Sequence, residues 1–179
     1  MPFFHVGVLP QVLVSAIKEG REGYVMRRFE LEPYLRHHAK YQVTEVFSVP
    51  PMLVSIVMSG LADPKSKNYD RRFSLRSVRN GTTGAAPCSA DLQKRFQDLL
   101  ADGATMGQVW GMTETTSMAA IVPWEVAGKA TAMGSVGKPL PEVQMKRKEM
   151  SLFKIILTTL QLSTRMATTS QLEAKENYV

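Results

Sequence analysis

The sequence is poor in the residues that would place it in several large classes. It has one cysteine, Cys88, so neither an intrachain disulfide framework nor a multi-cysteine metal centre can form, which fits a reducing compartment. Histidine is confined to His5, His37 and His38. The last two are adjacent and diverge on a helix, a poor metal pair, and no carboxylate cluster accompanies them to suggest zinc. Apolar runs end after about ten residues at Ser or Pro, short of the ~20 that span a bilayer. Residues 1–8 lack the basic start and long apolar run of a secretory signal. The last three residues, Asn177, Tyr178 and Val179, differ from a Ser-Lys-Leu peroxisomal address. A Gly-x-Ser-x-Gly nucleophile motif is missing, and no internal repeat is visible.

What is present is ordinary globular material. Hydrophobic residues make up 44% and charged residues 21% of 179, enough for one domain with a core, and the eleven methionines read as core filler. The net charge of +6 is scattered over Arg27 and Arg28, Arg71 and Arg72, and Lys146 and Lys148. That distribution suits an anionic ligand such as a nucleotide. It does not make the clustered basic face that DNA or RNA needs.

Helix-like and strand-like segments alternate over residues 1–145. Val12, Leu13, Ala16 and Ile17 share one helical face that Gly20 ends. Residues 24–29 read as a short strand. Pro33 suits the start of a helix running to about Tyr41, and residues 43–49 form an apolar, β-branched strand. Pro50 and Pro51 break it and start a helix over 52–58, and a polar loop occupies 61–72. A short strand over 75–78 leads into a Gly/Thr/Ala loop, 80–87. Ser89 caps a helix whose Leu92, Phe96, Leu99 and Leu100 share a face. A strand over 105–110 precedes a turn over 111–116. Strands separated by helices predict an α/β fold with a parallel-rich sheet flanked by helices, and ligands in such sheets sit at the carboxyl ends of strands. Both glycine-containing loops, 80–87 and 111–116, fall there. Composition shifts after Met145: a charge run at 146–149 leads into an apolar stretch with threonines and then a Thr/Ser/Gln/Glu-rich end. Residues 1–146 are therefore expected to form one domain and 147–179 an irregular tail, disordered or helical.

Three segments carry chemistry. The first is Gly107-Gln108-Val109-Trp110-Gly111-Met112-Thr113-Glu114-Thr115-Thr116, with no role read for the last two residues. A strand delivers the chain to a glycine turn, where backbone can approach a nucleotide closely, a hydroxyl can hydrogen-bond a phosphate, and a carboxylate can ligate Mg²⁺. The second is Leu75-Arg76, then Gly84-Ala85-Ala86-Pro87 and the helix from Ser89, where small side chains let a flat base lie against backbone. The third is Pro2-Phe3-Phe4-His5-Val6-Gly7, followed by Val49-Pro50-Pro51-Met52 and, further on, by Gly134-Ser135-Val136-Gly137-Lys138-Pro139. Taken in their order along the chain, the segments resemble the adenylate-forming (AMP-dependent synthetase/ligase) superfamily, and its acyl-CoA synthetase and 4-coumarate–CoA ligase branch more than its nonribosomal adenylation domains. The string Gly81-Thr82-Thr83-Gly84 echoes that family's phosphate-gripping loop. Cys88 stands where its lysine belongs, however, and the position in the chain is wrong. We read it as the pocket loop with extra residues at 80–83.

The resemblance implies part of the N-terminal domain of an adenylate-forming enzyme. It implies that Thr113 contacts the α-phosphate, that Glu114 holds Mg²⁺, that His5 orients the carboxylate substrate, and that Trp110 stacks on adenine. Gly84, Ala85, Ala86, Pro87, Gln108, Gly111 and Met112 would complete the nucleotide wall. The implied activity is ATP-dependent ligation of a fatty or aromatic carboxylic acid to coenzyme A through an acyl-AMP, inside the cell in cytoplasm or peroxisome. The family's phosphate-gripping loop, ribose-binding aspartate, hinge and C-terminal lysine-bearing domain have no counterpart in the 179 residues. The chain alone is therefore expected to be inactive and to self-associate through uncovered surfaces. The alternative is a non-catalytic nucleotide- or protein-binding module.

Overall fold

A computed structural model of the chain describes residues 4–145; the segment expected as a tail, 147–179, lies outside them. Contacts divide the chain into Met1–Leu140, which holds every element below, and Pro141–Val179. A π-helical turn, Leu9–Val14, continues into α1 (Ser15–Glu19), which Gly20 ends in the left-handed conformation. Then follow α2 (Leu31–Tyr41), β1 (Glu45–Ser48), α3 (Pro50–Ser59), β2 (Asn80–Thr83), α4 (Ala90–Gln97), β3 (Thr105–Met112), β4 (Ser117–Ile121) and β5 (Lys138–Pro139). The helices begin where local chemistry sets them. Pro50 and Pro51 occupy the first turn of α3, where an amide hydrogen has no partner anyway. The Ser89 side chain accepts a hydrogen bond from the Leu92 amide, 3.2 Å away, at the start of α4.

The sheet order is β1-β2-β3-β4-β5. The first three strands are parallel, with Glu45, Asn80 and Thr105 in register, while β3–β4 and β4–β5 are antiparallel. The register puts Val46, Gly81 and Met106 on one face. Against it pack Leu35 of α2, Leu53 and Ile56 of α3 and Phe96 of α4, each fully buried, together with Leu75, Val78 and Leu100. Burial of side chains of this size contributes roughly 1.5–3 kcal/mol each. On the other face, Gly107 lies under Val122 and Ala127, which join Ala132 in a smaller cluster. At the carboxyl ends, the helix-covered face turns polar. The Tyr34 hydroxyl lies 3.4 Å from the Ser48 hydroxyl, and burial pushes the phenol up to about 12. Beside Ser48, the Thr83 hydroxyl is buried without a hydrogen-bond partner among the described residues.

Four local expectations need correction. Residues 24–29 join no ladder. Tyr24 stacks on Tyr41 with ring centroids 4.8 Å apart, and Phe29 meets Tyr34 edge-on at 5.2 Å, so these aromatics cap the helical layer instead of extending the sheet. Residues 75–78 form a turn, closed by the Val78 amide on the Leu75 carbonyl at 3.0 Å; only Leu75 bridges, in parallel, to Leu100. The strand lies at Asn80–Thr83 instead, so the apparent extra residues of the pocket loop are β2 itself. Gly111 and Met112, expected in a turn, belong to β3; the turn is the 3₁₀ segment Thr113–Thr115. The strand β4 had no counterpart in the sequence reading.

His38 is buried, stacks on Tyr34 with centroids 4.2 Å apart, and donates from Nδ1 to the Tyr34 carbonyl at 2.9 Å. Burial, which disfavours the imidazolium, lowers its pKa below the ordinary 6.5. The unfolded chain therefore takes up this proton first, and the stability present above pH 6.5 is lost as pH falls toward the folded-state value. Urea melts at pH 7.5 and 5.5 should show wild type losing more stability than His38→Phe. Equal losses would show that His38 is not the group responsible.

Candidate functional site

β2 ends at Thr83, whereas β3 runs on through Met112. Beyond Gln108 the β2-facing edge of β3 is therefore unpaired, and a cleft opens there. Its walls are His5 and Gly7 from the amino-terminal turn, Phe47 of β1, Ala85 of the loop after β2, Val109 and residues 111–113 of β3 and its turn, and Ser117 and Met118 of β4. The volume is about 170 Å³, below the ~300 Å³ at which small-molecule pockets begin.

Three glycine-rich or strained positions shape these walls. A Cβ on Gly84 would lie 2.6 Å from Val109 Cγ2 and 3.0 Å from its carbonyl oxygen, so only glycine lets the loop leave β2 so close to β3. A Cβ on Gly111 would stand 1.7 Å from the Ser117 carbonyl oxygen, at the bulge where the β3–β4 register shifts. Ala85 adopts φ +69°, a left-handed conformation that costs an alanine about 1–2 kcal/mol. The hairpin tip is tied by Thr115, whose hydroxyl accepts from the Met112 amide at 3.2 Å and lies 3.0 Å from the Met112 carbonyl. Gln11 donates to the Ser117 hydroxyl at 3.2 Å, linking the amino-terminal helical turn to the hairpin. His5 Nδ1 accepts from the Gly7 amide at 3.0 Å. In the neutral ring the proton is then on Nε2.

The structure brings together His5, Ala85, Gly111, Met112 and Thr113 in this cleft. Thr113 and Glu114 are both exposed at the tip, and Ala86 and Pro87 are exposed on the adjoining loop. Trp110 is half-buried and outside the cleft lining; alternation along the strand sends it to the face opposite Val109. Gln108, expected against the nucleotide, is 3% exposed, and its amide donates to the Cys88 carbonyl and to Gln93 Oε1, each at 3.0 Å. Its side chain thus holds the wall in place and does not enter the cleft. Sequence reasoning missed Thr115, Ser117 and Gln93. Position 93 shares a stripe with Phe96 and Leu100, which was the available signal.

Among the described residues no group of three or more His, Cys, Asp or Glu side chains could hold a metal ion. Glu114 is a single exposed carboxylate. That donor set fits a magnesium ion that arrives on nucleotide phosphates, which needs only one or two protein carboxylates. No helix among the described residues is long and apolar enough to cross a membrane.

A profile of AMP-binding enzymes matches residues 1–151. The chain belongs to the AMP-binding enzyme family. It is similar to acyl-CoA synthetase ACTT5 of Alternaria alternata, at 39% identity over 146 residues covering 82% of this chain and 23% of that protein. To a phenylacetyl-CoA ligase of Aspergillus niger it is 40% identical over 146 residues, 82% of this chain and 25% of that one. Among solved structures, the o-succinylbenzoate–CoA synthetase of Bacillus subtilis in complex with its acyl-adenylate intermediate superposes with a TM-score of 0.63 at 26% identity, over 82% of this chain and 27% of that one. The family member described here thus spans about a quarter of the length of these relatives, and its mixed α/β fold is that of part of the N-terminal domain of adenylate-forming enzymes.

Two substitutions separate steric need from strain. Gly111→Ala should destabilise the fold by about 3 kcal/mol, since backbone must move to admit the methyl. Ala85→Gly should stabilise it by about 1 kcal/mol by removing left-handed strain. Urea denaturation measures both; a neutral Gly111→Ala would mean that the β3–β4 bulge is not as tight as described.

Proposed function

We propose that this chain supplies the acyl- and adenylate-facing wall of an AMP-forming acid–thiol ligase. In the first half-reaction a carboxylate oxygen attacks the α-phosphorus of ATP, the bond to the β-phosphate oxygen breaks, and acyl-AMP and pyrophosphate result. In the second, the coenzyme A sulfur attacks the acyl carbon, its thiol proton is released, and AMP leaves with the electron pair of the carbon–oxygen bond. The observation that carries this reading is the single cleft shared by His5, Ala85 and residues 111–113.

In this proposal the apolar side chains of Phe47, Val109 and Met118 receive the body of the acid, a fatty or aromatic one, and His5 Nε2–H orients its carboxylate. The Thr113 hydroxyl donates to an α-phosphate oxygen, where negative charge concentrates as the carboxylate adds. Glu114 is the ligand for magnesium, which supplies charge neutralisation for the phosphates. The exposed Ala86 and Pro87 and the half-buried Trp110, all outside the cleft lining, offer the flat base a surface. Exposed backbone around Gly111 allows close approach. A cleft of about 170 Å³ gives adenylate limited contact, so the 179 residues alone are expected to bind it weakly and to form no thioester. The second reading, a nucleotide-binding module without catalysis, is favoured by the same open wall and differs only in what completes it.

Calorimetric titration with AMP and with a sulfamoyl-adenosine mimic of an aromatic acyl-AMP tests the site. The mimic should bind more tightly than AMP. Thr113→Val should weaken it about tenfold, the equivalent of one hydrogen bond to a charged group. Absence of binding to either compound, or an unchanged affinity in Thr113→Val, would overturn the assignment. Thioester formed by the chain above a Glu114→Ala control would contradict the expected inactivity.

A further inference from the structure

A glutamine on the helix face that also buries Phe96 is costly unless every polar atom finds a partner. Gln93 is fully buried, and both polar atoms of its side chain have partners. Its Nε2 donates to the Met106 carbonyl at 2.7 Å, and its Oε1 accepts from Gln108 Nε2 at 3.0 Å and from the Gly134 amide at 3.1 Å. Gln108 Nε2 donates in turn to the Cys88 carbonyl at 3.0 Å. One side-chain amide on α4 therefore joins β3, the turn at Gly134 and, through Gln108, the end of the loop that carries Ala85, Ala86 and Pro87.

We propose that Gln93 is a positioning residue for the adenylate wall: through Gln108 it sets the spacing between the loop 84–88 and the unpaired edge of β3. This rests on the functional reading above. An apolar side chain of similar volume would fill the same space, but it could neither orient the Gln108 amide nor fix the Cys88 carbonyl. A planar amide with defined donor and acceptor directions specifies one arrangement of these segments, whereas packing alone admits several. The arrangement it specifies puts Gly84 so close to Val109 that no side chain fits between, and leaves Ala85 and Val109 lining the same cleft. None of the hydrogen-bond partners of Gln93 lines the cleft, so in this proposal its effect reaches ligand through the segments it holds.

The test compares Gln93→Met with Leu53→Ala, a fully buried α3 substitution that destabilises the same core outside the amide bridge, and with Gln93→Glu, which keeps an acceptor for Gln108 and Gly134. The acyl-sulfamoyl-adenosine mimic is titrated at a temperature where thermal melts show every variant folded. Gln93→Met should raise the dissociation constant about tenfold, Leu53→Ala should leave it within about twofold, and Gln93→Glu should fall between. Should Gln93→Met fail to fold, the double substitution Gln93→Met with Gln108→Met, which removes both polar partners together, takes its place. Affinity lost equally in Gln93→Met and Leu53→Ala would overturn the proposal. A wild-type chain that binds no mimic would sink the functional reading instead. Gln93 is then judged by amide hydrogen exchange: acceleration at residues 84–88 and 106–112 beyond that elsewhere in the fold supports the positioning role, and uniform acceleration refutes it.

Discussion

The site depends on an inequality of strand length. β2 pairs with β3 only as far as Thr83 and Gln108, and β3 then continues with β4 as its sole neighbour. A strand edge without a partner presents amides and carbonyls to whatever lies alongside. In a parallel sheet this occurs where loops leave toward the ligand side. Everything at the cleft follows from that mismatch: the loop after β2 must turn away within one residue, glycine at 84 permits it, and the hairpin beyond Met112 projects Thr113 and Glu114 past the sheet.

The two faces of the sheet differ accordingly. On the helix-covered side, apolar packing at the amino end gives way to hydroxyls and amides at the carboxyl end, where Gln93 and Gln108 bond to each other while the Thr83 hydroxyl has no partner among the described residues. Membership of the AMP-binding enzyme family is consistent with this division. Most of a scaffold can rest on burial, but a surface that must match a nucleotide needs its backbone placed to within fractions of an ångström.

Much of this was legible in the sequence where the signal is local. Proline at the start of α3, serine before α4 and glycine after α1 each act through their own backbone or side chain, and the elements begin or end where they stand. The string ending in Glu114 stood out through its resemblance to a family motif, and the structure puts its Gly111, Met112 and Thr113 in one cleft with His5 and Ala85. The failures have a common cause. Asn80 and Gly81 form a turn-like dipeptide, yet they sit in the second strand of the sheet because Gly81 must lie against Met106, whose sulfur would be 2.4 Å from any Cβ there. Ser117, Met118, Ala119 and Ala120 carry weak strand propensity and become β4 through pairing with β3. Gln93 reads as one more polar residue beside Asp91, Lys94 and Arg95. Only the position of Gln108 across the interface shows why a polar residue is buried there.

The lone thiol offers a natural clock for the site. Cys88 is buried at the root of the loop, and burial pushes its pKa up, so little reactive thiolate exists at neutral pH and reagents reach it only when the loop lifts from β3. With no second cysteine in the chain to confuse the signal, the rate of alkylation at Cys88 reads out breathing of the segment that would cover an adenine. A compound lodged in the cleft would register as a slowing of that rate without any label being introduced.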